Sequence, residues 1–238
     1  MKMCKRYSSI LVLTIIMTLF AGNFPALACS RVVYHGLDNI VLTGRNMDWK
    51  EDMGTHLWAF PRGMKRNGMV GPHSVEWTSK YGSVIAASYD LATADGLNEK
   101  GLVANVLWLA ESVYSRWEPK NPDKPGLSIA IWPQYVLDRF ATVAETVAYL
   151  RQENFSVVTD AAIGTSGLAT MHLSVSDAAG DSAIFEYIDG KLVIHHNRSY
   201  TVMTNSPTFD KQLALAEYWQ EIGGTVMLPG TNRAADRF

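Results

Sequence analysis

Alternation of apolar and polar residues dominates the chain from about residue 30 onward and predicts short β-strands joined by turns. The first two predicted strands, 31–35 and 40–47, flank the turn Gly36-Leu37-Asp38-Asn39 and are expected to form a hairpin. Further strands are predicted at 56–60, 76–89, 93–109 (a pair folded around 98–101), 171–176, 183–187, 191–195 and 200–204. The segments 61–72 and 111–126 are rich in glycine, proline and charge, so they are predicted to be loops.

Helical spacing replaces this alternation in three segments. Apolar residues recur at three- and four-residue steps in 127–139 and 142–151, and 208–221 reads as a helix capped near its start. The order is therefore strands, helices, strands and a final helix. This order predicts an α+β sandwich in which helices cover mainly antiparallel sheets.

The first 28 residues have the pattern of a secretory signal peptide. Basic residues at positions 2, 5 and 6 precede the apolar stretch 10–21, and Ala26-Leu27-Ala28 is the small-x-small pattern that signal peptidase cleaves. Cleavage after Ala28 would export residues 29–238 to the periplasm or the medium as one domain. No later segment is long and apolar enough to span a bilayer, so no membrane span is expected.

A lipoprotein signal is the alternative interpretation of this junction, because such signals also leave a cysteine at the new amino terminus. Lipoprotein processing generally requires a larger aliphatic residue three positions before the cysteine, whereas Ala26 stands there. The unmodified cysteine is therefore favoured. Lipidation would block the thiol and leave an inactive exported protein with a binding role.

The charge and composition of the chain argue against a nucleic-acid partner and say little about other functions. Twenty-one basic and 23 acidic residues give a net charge of −2, and 47% hydrophobic residues are typical of a globular protein. Cysteine usage is more informative. Of the two cysteines, Cys4 lies in the segment expected to be removed, so Cys29 would remain as a lone thiol.

Cys29 is the residue with the clearest chemistry. After cleavage it would carry a thiol of pKa about 8.5 and an α-amine of pKa about 8, so the amine can accept the thiol proton without a histidine or a cofactor. The return strand of the first hairpin ends with Arg45 and Asp48, which are expected to lie beside it: Asp48 can hold the amine and Arg45 can favour the thiolate. A metal site is disfavoured because His195 and His196 alternate faces on a strand.

Five segments in order resemble the choloylglycine hydrolase and penicillin V acylase family of N-terminal nucleophile hydrolases. They are Cys29 itself, Gly44 to Trp49, Ala94 to Leu102, Thr204 to Asp210, and Leu228-Pro229-Gly230 through Arg237-Phe238. The resemblance implies a four-layer αββα fold, no cofactor, and a homotetramer as one possible assembly. It also implies an amide substrate such as penicillin V, a conjugated bile salt or an N-acyl homoserine lactone.

The resemblance further assigns roles to individual residues. It implies that Cys29 is the nucleophile, that Arg45 and Asp48 hold it, that Asn205 is an oxyanion-hole donor, and that Arg237 is a second active-site arginine. Trp49 and Trp108 are expected to line the pocket that binds the acyl group, as in the exported Gram-negative members of the family.

The sequence departs from the family in two ways. Leu107-Trp108 stands where bile-salt hydrolases often place an asparagine, so the second oxyanion donor is expected to be a backbone N–H. Family members also continue well beyond the position of Phe238, which predicts that the carboxyl-terminal part of the domain is missing. Such a fragment would be unstable, or would be completed by another chain.

Overall fold

Two antiparallel sheets of unequal size form the centre of the fold. The structure is a computed structural model that describes residues 28–120, 122–159 and 168–219. The strands are β1 (Ser30–His35), β2 (Val41–Asn46), β3 (His56–Phe60), β4 (Lys65–Asn67), β5 (Glu76–Thr78), β6 (Ser83–Ser88), β7 (Ala92–Asn98), β8 (Val103–Trp108), β9 (Gly126–Ser128), β10 (Ser156–Val158), β11 (Met171–Ser176), β12 (Ser182–Ile188), β13 (Lys191–His196) and β14 (Val202–Thr204). The helices are α1 (Trp132–Arg139), α2 (Val143–Leu150) and α3 (Phe209–Tyr218).

The small sheet has the order β14-β1-β2 and begins at the predicted nucleophile. β1 is antiparallel to both neighbours, and Ser30 lies opposite Asn46 on one side and Thr204 on the other. Cys29 directly precedes Ser30 and therefore lies next to these three paired residues. β2 and β14 both end here, so the segments that follow Asn46 and Thr204 lie at the same corner of the small sheet as Cys29.

The large sheet has the order β13-β12-β11-β8-β7-β6-β3 and separates two layers. One face carries the main apolar core, in which side chains such as Leu173 and Phe185 pack under α1 and α2. The other face meets the small sheet through a second apolar cluster made of Cys29, Leu107, Ile184, Met203 and Phe209. The prediction of an α+β fold with mainly antiparallel sheets is confirmed.

Three predicted elements differ from the structure. The predicted helix 127–139 begins only at Trp132, because Gly126–Ser128 form β9, which pairs in parallel with β10. A Cβ at Gly126 would clash with the side chains of Val70 and Trp117, so this strand position requires glycine. The predicted strand 76–89 is split into β5 and β6, and the predicted loop 61–72 contains β4.

The interior between the two sheets is polar around Glu186. This carboxylate is almost completely buried and accepts hydrogen bonds from His172 Nδ1 at 3.0 Å and from the Phe209 N–H at 3.0 and 3.1 Å. His195 Nε2 lies 3.4 Å from it, whereas His196 points to the opposite face and pairs with Asp181. Burial alone would raise the pKa of Glu186, but the hydrogen bonds outweigh burial and lower it to about 2.

This lowered pKa predicts an acid-sensitive component of stability. The Glu186 carboxylate stabilises the folded state fully above its ordinary pKa of 4.5, and this stabilisation is lost as the pH falls towards about 2. The contribution is on the order of 3 kcal/mol. We expect Glu186→Gln to lower the free energy of unfolding at pH 6 and to flatten its decline between pH 6 and 2.5, as measured by urea denaturation. Glu217→Gln, an exposed change on α3, is the matched control, and an unchanged acid dependence in Glu186→Gln would contradict the prediction.

The described residues contain neither a candidate membrane-spanning helix nor a cluster of metal-ligating side chains. In the ranges given above, no helix is long and apolar enough to cross a membrane. Among the same residues, no group of three or more His, Cys, Asp or Glu side chains is arranged to hold a metal ion. Of the predicted signal peptide, residues 1–28, the structure describes only Ala28.

Candidate functional site

Cys29 lies at the junction of three chain segments. Its side chain is 5% exposed, and Sγ lies 3.8 Å from the main-chain oxygen of Asp48. Thr204 Oγ1 donates a hydrogen bond of 2.8 Å to the Cys29 carbonyl oxygen. Ala28, by contrast, is exposed. The thiol is therefore enclosed, while the peptide bond before it lies at the surface.

The Cys29 thiol opens into an apolar cavity of about 380 Å³. Among its described lining residues, Arg45 carries the one charge, and the walls are otherwise mainly aromatic, aliphatic or methionine side chains. The methionines are Met47, Met53, Met69 and Met171. A cavity of this size with mainly apolar walls is typical of a site that binds an apolar group of a small molecule.

Trp49 and Trp108 both line this cavity and contact each other. Their ring centroids are 5.5 Å apart with the planes tilted by 39°. Trp49 Nε1 donates a hydrogen bond of 3.0 Å to the Tyr89 hydroxyl, which fixes the orientation of its ring. The two tryptophans form a rigid aromatic wall close to the thiol.

Arg45 is fixed in the cavity wall by a buried network. Its Nη1 lies 2.5 Å from Asp95 Oδ2, its Nη2 donates 2.9 Å to the Val106 carbonyl, and its side chain is 8% exposed. Asn105 Nδ2 donates to the other Asp95 oxygen at 2.9 Å. Burial raises the pKa of Asp95, and the Arg45 charge and the Asn105 hydrogen bond oppose that rise. Arg45 thus presents a positive charge to the cavity from a fixed position.

Sequence reasoning missed Asp95 as part of the site. It belongs to the segment Ala94 to Leu102 that carried the family resemblance, but no role was assigned to it. The available signal was an acidic residue flanked by Ala94 and Gly96 in a predicted strand, since such a residue requires a partner when it is buried. The partner, Arg45, is 50 residues away in sequence, so only the tertiary fold identifies it.

Asp48 is connected to the start of β1 through Asn46. Asn46 Nδ2 donates 2.7 Å to Asp48 Oδ2, and Asn46 Oδ1 accepts a hydrogen bond of 2.7 Å from the Ser30 N–H. The Asp48 carboxylate and its main-chain oxygen therefore both lie near residues 29 and 30. This location agrees with the expectation that Asp48 lies beside the amino group of Cys29, and its role in holding that amine stays a prediction.

Asn205 is brought to the same corner from the loop after β14. Its Oδ1 accepts a hydrogen bond of 3.2 Å from the Trp108 N–H. This contact uses the carbonyl branch of the amide and sets the orientation of the Nδ2 branch, which is the donor that an oxyanion requires. Cys29, Arg45 and the two tryptophans line one cavity, whereas Asp48 and Asn205 contact Cys29 and Trp108 without being among its described lining residues. Arg237 lies outside the described residues.

Comparison with known proteins identifies the family. The profile of the linear amide C–N hydrolases, choloylglycine hydrolase family, matches residues 29–238. The chain belongs to this family. A relative, penicillin V acylase from Pectobacterium atrosepticum, is 57% identical over 98% of this chain and 64% of its own length. The chain therefore spans slightly less than two thirds of this choloylglycine hydrolase family member.

Solved structures of the choloylglycine hydrolase family show the same fold. Penicillin V acylase from Agrobacterium tumefaciens is 64% identical, with a TM-score of 0.76 over 87% of this chain and 62% of that one. A mutant of conjugated bile acid hydrolase from Clostridium perfringens is 27% identical, with a TM-score of 0.69 over 87% of this chain and 63% of that one. These neighbours have the N-terminal nucleophile hydrolase fold, which confirms the predicted fold class.

Proposed function

We propose that the protein, once cleaved after Ala28, hydrolyses linear amide bonds by acyl transfer through Cys29. The observation that carries this proposal is the placement of the Cys29 thiol in an apolar cavity beside the buried Arg45 cation. Family membership supports a hydrolase of linear amides. The chain would act in the periplasm or outside the cell, and assembly as a homotetramer stays a prediction.

The proposed reaction has two halves. In the first, the α-amine of Cys29 accepts the thiol proton and Sγ attacks the amide carbonyl carbon, which forms a tetrahedral oxyanion. Asn205 Nδ2 and a backbone N–H stabilise the oxyanion, and such a donor is commonly worth about 3 kcal/mol. The carbon–nitrogen bond then breaks, the α-ammonium protonates the leaving amine, and a thioester remains.

In the second half, water replaces the amine. The α-amine removes a proton from water as its oxygen attacks the thioester carbonyl, and the same donors hold the second oxyanion. The carbon–sulfur bond breaks, the acid leaves, and the thiol is restored. Arg45 contributes a charged side chain to the same cavity, while Asp48 keeps the α-amine oriented.

The cavity favours an aryl or fatty acyl group on the substrate. Its walls are apolar and aromatic, and its volume of about 380 Å³ is near the lower end for small-molecule sites. The relatives are named for penicillin V and for conjugated bile acid. We therefore propose penicillin V or an N-acyl homoserine lactone as the preferred substrate class, with conjugated bile salts as the bulkier alternative.

A panel of these three amide classes tests the function. Release of the free amine is followed by reaction with fluorescamine, after intact-mass analysis has established that the chain begins at an unmodified Cys29. We expect turnover of at least one class. Absence of amine release from all three by the unmodified protein would refute the proposed activity, and a mass increase from lipid would support the alternative of an inactive lipoprotein.

The tryptophan wall predicts a specific effect on substrate binding. Trp108→Ala removes a ring that would contact the acyl group, and loss of such a contact costs about 1.5–3 kcal/mol. We expect KM for penicillin V to rise about 10- to 100-fold with a smaller change in kcat. Trp58→Ala is the matched control, because Trp58 is an exposed tryptophan on β3 that does not line the cavity. An unchanged KM in Trp108→Ala would contradict the assignment.

A further inference from the structure

Gln212 on α3 clamps the loop that carries Asn205. Its Nε2 donates to the Asn205 carbonyl at 2.7 Å and to the Pro207 carbonyl at 2.6 Å, with the Thr204 carbonyl at 3.3 Å. Its Oε1 accepts a hydrogen bond of 3.0 Å from the Thr204 N–H. One side-chain amide therefore bonds the backbone on both sides of Asn205. An ordinary helix N-cap accepts hydrogen bonds from the N–H groups of the helix itself. The Gln212 amide instead bonds backbone groups of the loop that precedes the helix.

The helix that carries Gln212 is itself fixed to the large sheet. The Phe209 N–H at its start donates to both carboxylate oxygens of the buried Glu186 on β12. The Phe209 ring is 1% exposed and packs in the cluster that contains Cys29. Gln212 thus connects the loop to a helix whose first residue is hydrogen-bonded to a buried carboxylate. A support of this kind is what holds a reacting group to within a fraction of an ångström.

The clamped loop contacts the nucleophile residue and the cavity wall. Thr204 Oγ1 donates to the Cys29 carbonyl, and Asn205 Oδ1 accepts from the Trp108 N–H. We infer that Gln212 is a positioning residue that sets the Asn205 amide relative to the Cys29 thiol. This inference rests on the proposed function, since it concerns the donor that would hold the oxyanion. No contact between Gln212 and the cavity is required, because its effect passes through Asn205.

The inference predicts a change in kcat rather than in KM. An oxyanion forms only after the substrate is bound, so a displaced Asn205 weakens the transition state and leaves the apolar contacts to the acyl group intact. A shift of about 1 Å in a catalytic group can lower the rate about 100-fold. Gln212→Met keeps the length of the side chain and removes all four hydrogen bonds. We expect it to lower kcat about 10- to 100-fold and to change KM by less than about twofold.

The matched control is a glutamine on another helix. Gln152 follows α2, and its Nε2 donates 3.2 Å to the Ala148 carbonyl at an exposed position. Gln152→Met makes the same chemical change far from the loop, and we expect it to leave kcat unchanged. All variants are made in the complete natural chain. Their kcat values are divided by the folded fraction of each variant, measured by circular dichroism at the assay temperature, so that a loss of folded protein does not lower the reported kcat.

A double-mutant cycle with Asn205→Ala separates positioning from a general structural role. If Gln212 acts through Asn205, Gln212→Met will cause little further loss of kcat in the Asn205→Ala background, whereas independent effects would multiply. Full multiplication of the two losses, or an unchanged kcat in Gln212→Met alone, would overturn the inference. An unchanged kcat in Asn205→Ala would overturn it as well, but would leave the acyl-transfer proposal standing, because that proposal is tested by the substrate panel and by replacement of Cys29.

Discussion

Replacing Cys29 by serine will abolish amide hydrolysis and leave the protein folded. The thiol supplies both the attacking sulfur and the leaving group of the thioester, so we expect kcat/KM to fall at least about 10³-fold, as for removal of a nucleophile in other hydrolases. The side chain is 5% exposed but small, and serine keeps its volume nearly unchanged. The unfolding midpoint is therefore expected to move by no more than a few degrees. Steady-state kinetics and thermal unfolding of the two proteins measure both effects.

Ser30→Ala is the control for this change. Ser30 is the next residue, and its backbone N–H rather than its hydroxyl makes the described hydrogen bond, to Asn46. The variant alters the same corner without touching the thiol, so its kcat/KM should stay within about threefold of the original. Turnover by Cys29→Ser at the original rate would exclude Cys29 as the nucleophile. A collapse of the unfolding midpoint would instead show that the thiol has a packing role that the structure does not suggest.

Strand positions followed from the sequence because alternation is a local property of the chain. β3 and β11 have the predicted bounds, 56–60 and 171–176. Alternation does not say what covers each face of a strand, although polar residues on a strand usually face solvent. On β11 the polar residues His172, Ser174 and Ser176 are buried between the two sheets. The sequence carries the period of the pattern but does not say that a second sheet covers the polar face.

The site was partly predictable for the same reason. Cys29, Arg45 and Asp48 belong to one hairpin, so their proximity follows from antiparallel pairing of neighbouring strands. The pairing of Arg45 with Asp95 and of the Trp108 N–H with Asn205 joins residues 50 and 97 positions apart. Those contacts depend on the register of non-adjacent strands, which no local pattern encodes. The contacts of Gln212 with Thr204, Asn205 and Pro207 are local in sequence, but their consequence for the site depends on where the fold places that loop.

Leaving a single residue in front of Cys29 will also abolish activity. The α-amine serves as the proposed base only when it is free, because an amide nitrogen cannot accept the thiol proton near neutral pH. The exposed position of Ala28 next to the enclosed thiol leaves the cleaved bond accessible while the nucleophile stays protected. We expect a chain that begins at Ala28 to turn over at least about 10³-fold more slowly than a chain that begins at Cys29.

Two proteins that differ by one residue at the amino terminus provide the measurement. Each carries a removable leader in place of residues 1–27 or 1–28, so that protease treatment exposes either Ala28 or Cys29 as the first residue. Both products keep the thiol, and equal alkylation of Cys29 by iodoacetamide in the denatured state confirms equal amounts of protein. Equal turnover by the two would show that the α-amine is not the base, and a neighbouring group such as Asp48 would then have to accept the proton. Activity confined to the product that begins at Cys29 would make cleavage after Ala28 the activating step, because it alone creates the base that the buried thiol requires.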